Sequence, residues 1–291
     1  MVYCDYVMVE SFFKLRTFPK NSIYNIINAK LRKIDKFKPF LLKTLDKNLK
    51  SIFKTHFRGL ALDFDGTLIP LKDRYQIVES SILRILLLLN RKKFPIFILT
   101  GRGKSIFQQI PFNEFIHINH IIIVQYNGGR LRYGNQDLIK EENMKTIKNY
   151  CEVKMILDKN EIQYAEKVSG FFCQTTFGSD QIFNAIQEKY KNWNVLNTKY
   201  SFDIVPSHIS KGLALKYSSK LFCKLKNSLI LKIGDSGDIN GNDYSFLKMK
   251  NSFSVGDYSS DLNTNFPVVD ENNIHLKGPD GLRYLFSYFS I

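Results

Sequence analysis

The sequence predicts an α/β fold: a mainly parallel sheet covered by helices on both faces, with an α+β insertion and a helical N-terminal extension. Three observations carry that prediction. From about Phe57 onward, short apolar runs alternate with helix-length segments, as strands buried on both faces do. Most of these runs end in a polar, glycine-containing cluster, which is where open parallel sheets bind ligands. Between about 130 and 206 the alternation gives way to a texture of short antiparallel strands and helices.

Residues 1–56 read as a basic helical extension. Ile23, Ile26, Ile27, Leu31, Ile34, Leu41, Leu45, Leu49 and Ile52 recur near helical spacing, lysines fill the positions between them, and Pro39 divides the run. Such a segment either packs on the main domain or lies on a membrane or protein partner. The first part of the core, 57–129, holds a strand over 60–64, the helix Ser80–Leu89, the strand Pro95–Leu99, a short helix and the strand Ile121–Val124. The insertion, 130–206, opens with a hairpin about Tyr133-Gly134-Asn135 and continues through the helix Glu141–Cys151. The strand Val168–Phe177, the helix Asp180–Tyr190 and a strand pair over Val195–Val205 complete it. The second part of the core, 207–291, resumes with the helix Gly212–Leu225, the strand Leu229–Ile233, the helix Asp243–Lys248 and the strand Phe253–Val255.

With 291 residues and 44% hydrophobic content, the chain has ample material for a buried core. Its net charge of +15 favours anionic ligands, although the lysines of the extension also suit a solvated helix face. Cys4, Cys151, Cys173 and Cys223 lack C-x-x-C spacing and nearby histidines, which predicts free thiols in a reducing compartment, with neither a disulfide framework nor a zinc site. No apolar run is long enough to span a membrane, and the first residues do not read as a secretory signal. A cytoplasmic protein is expected.

The chemistry concentrates in Leu60-Ala61-Leu62-Asp63-Phe64-Asp65-Gly66-Thr67-Leu68. Period-2 alternation puts Asp63 and Asp65 on the same side at the strand end, and Gly66 permits a sharp turn. Two carboxylates that close need a cation or a proton between them: like unit charges ~4 Å apart cost about 4 kcal/mol at an effective dielectric of 20. One then serves as nucleophile or metal ligand while the other cycles a proton. Thr100 ends the Pro95–Leu99 strand, where its hydroxyl and the following N–H groups suit a phosphate oxygen. Lys211 begins a helix, an unfavourable place for a cation unless anions surround it. The loop Gly234 to Asp243, with three acids after an apolar strand, suits an oxygen-ligand magnesium site.

Asp63-Phe64-Asp65-Gly66-Thr67, Thr100-Gly101-Arg102, Lys211 and Gly234-Asp235, in that order and each beside an apolar strand or helix start, resemble the four motifs of the haloacid dehalogenase-like (HAD) hydrolases. The resemblance covers roughly 57–291. The length of the insertion is similar to the large cap of the subgroup that includes Cof-type, sucrose-phosphate and trehalose-phosphate phosphatases. It implies a Rossmann-like core and Mg²⁺-dependent hydrolysis of a phosphorylated sugar or similar small phosphomonoester, with no nucleic-acid partner. It also implies Asp63 as nucleophile, Asp65 as general acid and base, Thr100 and Lys211 as phosphate holders, and Asp63, Asp65 and Asp235 at the metal. Gly101, Arg102, Asn127 and Gly128 would face substrate, although Arg102 equally suits a carboxylate partner. Many relatives have G-D-x-x-N-D. Here Asn242-Asp243 comes four residues later, similar to phosphomannomutases, so the last metal acid is Asp243 or its rival Asp238. That spacing makes a phosphosugar mutase the nearest alternative, and Thr-Gly-Arg, where such mutases carry Gly-Ser-Asp-like residues, argues for the phosphatase. A non-catalytic protein that uses its basic extension on nucleic acid or membrane is the third reading.

Overall fold

The structure, a computed structural model, describes residues 12–34, 39–134, 136–137, 144–167, 169–175, 179–198 and 201–290. Cys4, Asn135, Glu141 and Val168 lie outside the described residues. The N-terminal elements are β1 (Lys14–Leu15), α1 (Lys20–Arg32) and α2 (Pro39–Lys54). The core follows with β2 (Gly59–Asp63), α3 (Ser80–Arg91), β3 (Ile96–Leu99), β4 (Ile121–Gln125), β5 (Arg130–Tyr133) and β6 (Gln136–Asp137). Next come α4 (Tyr150–Lys159), β7 (Tyr164–Lys167), β8 (Gly170–Gln174), α5 (Ser179–Lys189), β9 (Trp193–Asn197) and β10 (Ser201–Pro206). The chain ends with α6 (Lys211–Cys223), β11 (Ile230–Gly237), α7 (Tyr244–Leu247), β12 (Ser252–Tyr258), β13 (Phe266–Pro267), α8 (Gly278–Ser287) and β14 (Phe289–Ser290).

An eight-stranded sheet in the order β13-β12-β11-β2-β3-β4-β5-β6 forms the centre. The strands from β13 to β4 are parallel, and the β4–β5–β6 edge is antiparallel. Every residue of β2 is buried, because apolar layers cover both faces of the sheet at its middle. One layer gathers Ile26 of α1, Leu45 and Leu49 of α2, Leu86 of α3 and Leu285 of α8. The other gathers Leu215 and Phe222 of α6 with Phe246 and Leu247 of α7. Strand order reverses beside β2: β3 and β4 build outward on one side, β11 to β13 on the other. The carboxyl ends meeting at that switch point leave the crevice where α/β sheets bind ligands.

A second sheet, antiparallel in the order β7-β8-β10-β9, packs on α4 and α5 through Val153, Leu157, Phe171, Phe183, Ile186 and Trp193. Three differences from the expected segmentation follow from packing. The hairpin assigned to the insertion pairs with β4 and widens the main sheet, because Leu131 and Tyr133 bury against Phe222. Of the stretch expected as one strand over Val168–Phe177, the described Gly170–Gln174 is β8, the second strand of a hairpin with β7. The helix expected over Glu141–Cys151 lies later, as α4, behind Asn149 in the left-handed region (φ 63°).

The N-terminal helices are a layer of the core. Ile26, Ile27, Leu45, Leu49 and Ile52 bury the apolar faces that the sequence left open to a membrane or partner. Lys30, fully buried, donates to the Ser259 carbonyl at 2.6 Å and lies near the rings of Tyr258 and Phe266. Burial lowers its pKa to about 7. Among the described residues no helix is long and apolar enough to cross a membrane.

Candidate active site

Asp63 closes β2, and the chain turns at once through Gly66. The turn needs glycine twice over: φ is +80°, and a Cβ there would collide with the Asp235 carboxylate. β11 runs through Asp235, two residues beyond the end expected from its apolar run, so that this carboxylate arrives beside Asp63. Oxygens of Asp63, Asp235 and Asp243 all lie within 4.8 Å of one another, and all three residues are buried. Asp238, the rival to Asp243, is instead on the outside of the loop, 3.7 Å from Lys33 just past the end of α1.

Lys211 sits among these acids. Ser210 caps α6 by accepting the Leu213 N–H at 3.2 Å, which fixes the first turn and with it Lys211. Gly128 lets the loop after β4 abut that start: its φ is +113°, and a Cβ would stand 2.5 Å from the Ser210 carbonyl oxygen. Lys211 Nζ donates to Asp63 Oδ1 and to Asp243 Oδ1, each at 2.6 Å. Burial alone would lower the lysine pKa, but Asp243 and Asp63 together carry it above its ordinary value. Burial, then Asp243, push Asp63 well above the usual carboxylate range, with Lys211 opposing them. Three buried acids thus share one lysine, and their negative charge is only partly balanced.

That imbalance fits a dication. Asp63 Oδ2 is buried and accepts no hydrogen bond among the described residues. Asp243, by contrast, has both oxygens engaged, Oδ1 by Lys211 and Oδ2 by the N–H groups of Asp235 and Ser236 at 3.0 and 3.1 Å. A hard cation with oxygen ligands would thus meet Asp63 Oδ2 and Asp235 directly, with Asp243 fixing the loop and the lysine behind them.

Asp65 points to a different partner. Arg102 Nε lies 2.8 and 3.0 Å from its two oxygens and Nη2 lies 2.5 Å from Oδ1, a fork further held by Gln109 Oε1 at 2.8 Å and the Arg74 carbonyl at 2.5 Å. Of the two partners the sequence left open for this guanidinium, substrate or a carboxylate, it has the carboxylate. Thr100 is fully buried, and its Oγ1 accepts the Arg102 N–H at 3.0 Å. Gly101 lines the cleft beside it. Asn127, at φ 56°, donates to Asp203 Oδ2 at 2.7 Å, while its own Oδ1 is buried without a hydrogen-bond partner among the described residues.

A cleft of ≈ 400 Å³ covers Asp63, Asp65 and Asp235. Its other wall is the antiparallel sheet, which contributes Lys167, Phe172, Ser201 and Asp203. The two walls touch where Asn197 N donates to the Asn240 carbonyl at 3.2 Å and where Ser169 Oγ donates to the Tyr126 carbonyl at 3.0 Å. Sequence reasoning named none of these four wall residues. Asp203 carried the one usable signal, an acid between Phe202 and Ile204 in an otherwise apolar strand. It is 2% exposed, and burial raises its pKa to about 6 against the hydrogen bonds from Asn127 and Ser201.

A family model described as haloacid dehalogenase-like hydrolase matches residues 60–156 and 133–273, most of the chain. The chain belongs to the HAD-like hydrolases. No curated protein matches it in sequence. Solved HAD-fold structures do match in shape. The HAD subclass IIB sugar phosphatase BT4131 is 18% identical with a TM-score of 0.55, covering 70% of this chain and 90% of that one. A HAD-like hydrolase from B. subtilis is 14% identical, TM-score 0.57, covering 71% and 92%. The N-terminally truncated IMP-nucleotidase of Plasmodium falciparum is 14% identical, TM-score 0.56, covering 84% and 79%. At these identities the likeness is one of fold. This HAD-like hydrolase thus has the Rossmann-like α/β core of its family, with the acidic triad at the switch point of the sheet.

Proposed function

We propose that this HAD-like hydrolase is a Mg²⁺-dependent phosphatase that cleaves a phosphorylated sugar or a similar small phosphomonoester through an aspartyl-phosphate at Asp63. The observation that carries the reading is Asp63 Oδ2, without a hydrogen-bond partner among the described residues and buried beside Lys211 and two further carboxylates at the carboxyl end of the central strand. In the first half-reaction an Asp63 oxygen bonds to phosphorus in line as the ester P–O bond breaks, and Asp65 gives its proton to the departing oxygen. In the second, Asp65 takes a proton from water, the water oxygen attacks phosphorus, and the Asp63–phosphate bond breaks to release inorganic phosphate. Lys211 and the Thr100 hydroxyl hold the other phosphoryl oxygens, with the backbone of Gly101 alongside. Magnesium, when bound by Asp63 and Asp235, supplies positive charge that lets a phosphate dianion approach an aspartate. Arg102 fixes the direction of the Asp65 carboxyl; Asn127 and Gly128, expected to face substrate, instead hold Asp203 of the opposing wall and abut Ser210 at the start of α6, and neither is among the residues that line the cleft.

A hydroxyl-rich leaving group is supported by the polar side chains of the opposing wall, Ser201, Asp203 and Lys167, with Phe172 giving the cleft an apolar surface for a ring. Among the structural neighbours, one is named a sugar phosphatase and one an IMP-nucleotidase. The test is phosphate release with Mg²⁺ from a panel of hexose phosphates, phosphorylated sugar acids and nucleoside monophosphates. Asp63→Asn should lower turnover at least ~100-fold on every substrate. Larger residual turnover would rule out a covalent Asp63 intermediate. An isomeric sugar phosphate in place of free phosphate would identify a mutase.

A further inference from the structure

We propose that the outer face of α6 and the turn after it form a docking surface for an anionic lipid bilayer. Along α6, Leu213, Tyr217 and Leu221 follow one another at spacings of four and are 47%, 57% and 42% exposed. Isolated apolar side chains are ordinary on a surface, but three in one row on a helix already packed by its other face form a patch. Beside that row stand Lys216, Lys220 and Lys224, again four apart and exposed. Past the helix end the surface continues through Lys226 and Arg58, both exposed, to Phe12, which is 52% exposed and in edge contact with His56. Two shallow depressions of ≈ 950 and ≈ 590 Å³ share Lys224, Leu225 and Lys226, which joins these side chains into one surface. Among the described residues no acid lines either depression, whereas the catalytic cleft is lined by four.

The absence of acids against at least four cations requires a negatively charged occupant, and the geometry selects among such occupants. The larger depression is lined by a single continuous stretch from Lys216 to Asn227, so it has no second wall of the kind a peptide helix needs. Nucleic acid would use the lysines and stack on Tyr217 but leave Leu213 and Leu221 in water. An anionic bilayer uses every feature at once. The Leu-Tyr-Leu row enters the headgroup boundary, and the lysine stems lie along it with their ammonium groups at the lipid phosphates. α6 begins at Lys211 and spans about 20 Å at 1.5 Å per residue. Contact centred near its far end therefore leaves the catalytic cleft open to solutes.

The test uses the full chain with vesicles of phosphatidylcholine alone or mixed with phosphatidylserine, read by co-sedimentation. Binding to the mixed vesicles only, weakening with salt, is expected. Lys216→Glu/Lys220→Glu should reduce that binding at least ~10-fold, since each lysine near an anionic surface contributes about 1 kcal/mol. Lys43→Glu/Lys47→Glu on the exposed side of α2 makes the same change in net charge and should leave most of it intact. Leu221→Ser should weaken binding to mixed vesicles at unchanged charge. Circular dichroism and phosphate release confirm that each variant is folded. No binding to the mixed vesicles at low salt would overturn the proposal. So would equal losses in the two charge-reversal variants, which would mean that net charge alone attracts the protein. Retention on duplex DNA or on an acidic peptide without vesicle binding would overturn it as well.

Discussion

At the scale of single residues, two side chains carry predictions beyond the proposed nucleophile. Arg102 forks Asp65 and is itself fixed by Gln109, so the role proposed for it is to aim a carboxyl group without touching the phosphoryl. Arg102→Lys keeps a charge but loses the fork, and should lower kcat by roughly 10- to 100-fold with little change in KM. A rise in KM with kcat unchanged would show instead that the guanidinium binds substrate. Asp203 is buried with its pKa raised to about 6, against an ordinary 3.8 for a free aspartate. Between those values the folded chain holds a proton that the unfolded chain has lost, so stability falls as pH rises through that window. The deficit above it is on the order of 2–3 kcal/mol. Asn at 203 can still accept from Asn127 and donate to Ser201. Asp203→Asn should therefore be more stable than wild type at pH 7.5, with the difference vanishing toward pH 4 in denaturant titrations.

At the scale of elements, the N-terminal helix pair shows how far a sequence pattern reaches. Its apolar spacing was legible, and so was its basic outer face. What its apolar side meets was not, because the partners lie more than 200 residues away: Asn25 donates to the Asp270 carbonyl, and Ser22 bonds Tyr284. β1 likewise pairs with β14 at the other end of the chain. Removing residues 1–56 would expose much of one face of the central sheet, including Phe57 and Phe253, and delete at least seven buried aliphatic side chains at roughly 1.5–3 kcal/mol each. The truncated chain should lack a cooperative thermal transition, and a sharp transition within a few degrees of the full chain would show that the helices are dispensable. The insertion is the opposite case. Its helices and strands were mostly legible, but its first hairpin went to the main sheet, since a period-2 pattern specifies a buried face without naming the neighbour.

At the scale of the molecule, the proposed active site is a meeting of β2, the turn after β3, the start of α6 and the loop after β11, closed over by a second sheet. Charge balance there is a property of the assembly: three buried acids face one lysine. Chelation should abolish phosphate release, Mg²⁺ should restore it, and Mg²⁺ should raise the melting temperature in calorimetry because it neutralises buried like charge. Unchanged activity after exhaustive chelation would exclude a metal-dependent site. The sequence by itself determined the strand ends that bear Asp63, Thr100 and Asp235, since buried parallel strands are apolar and their polar ends stand out against them. It also determined Lys211, a cation at a helix start where only nearby anions make it favourable. Only the tertiary structure set Asp243 beside Asp63 and left Asp238 on the outside of the loop, turned Arg102 onto Asp65, and brought Asp203 across from the other sheet. Those choices depend on which groups lose water together, and desolvation is set by neighbours in space that no local pattern encodes.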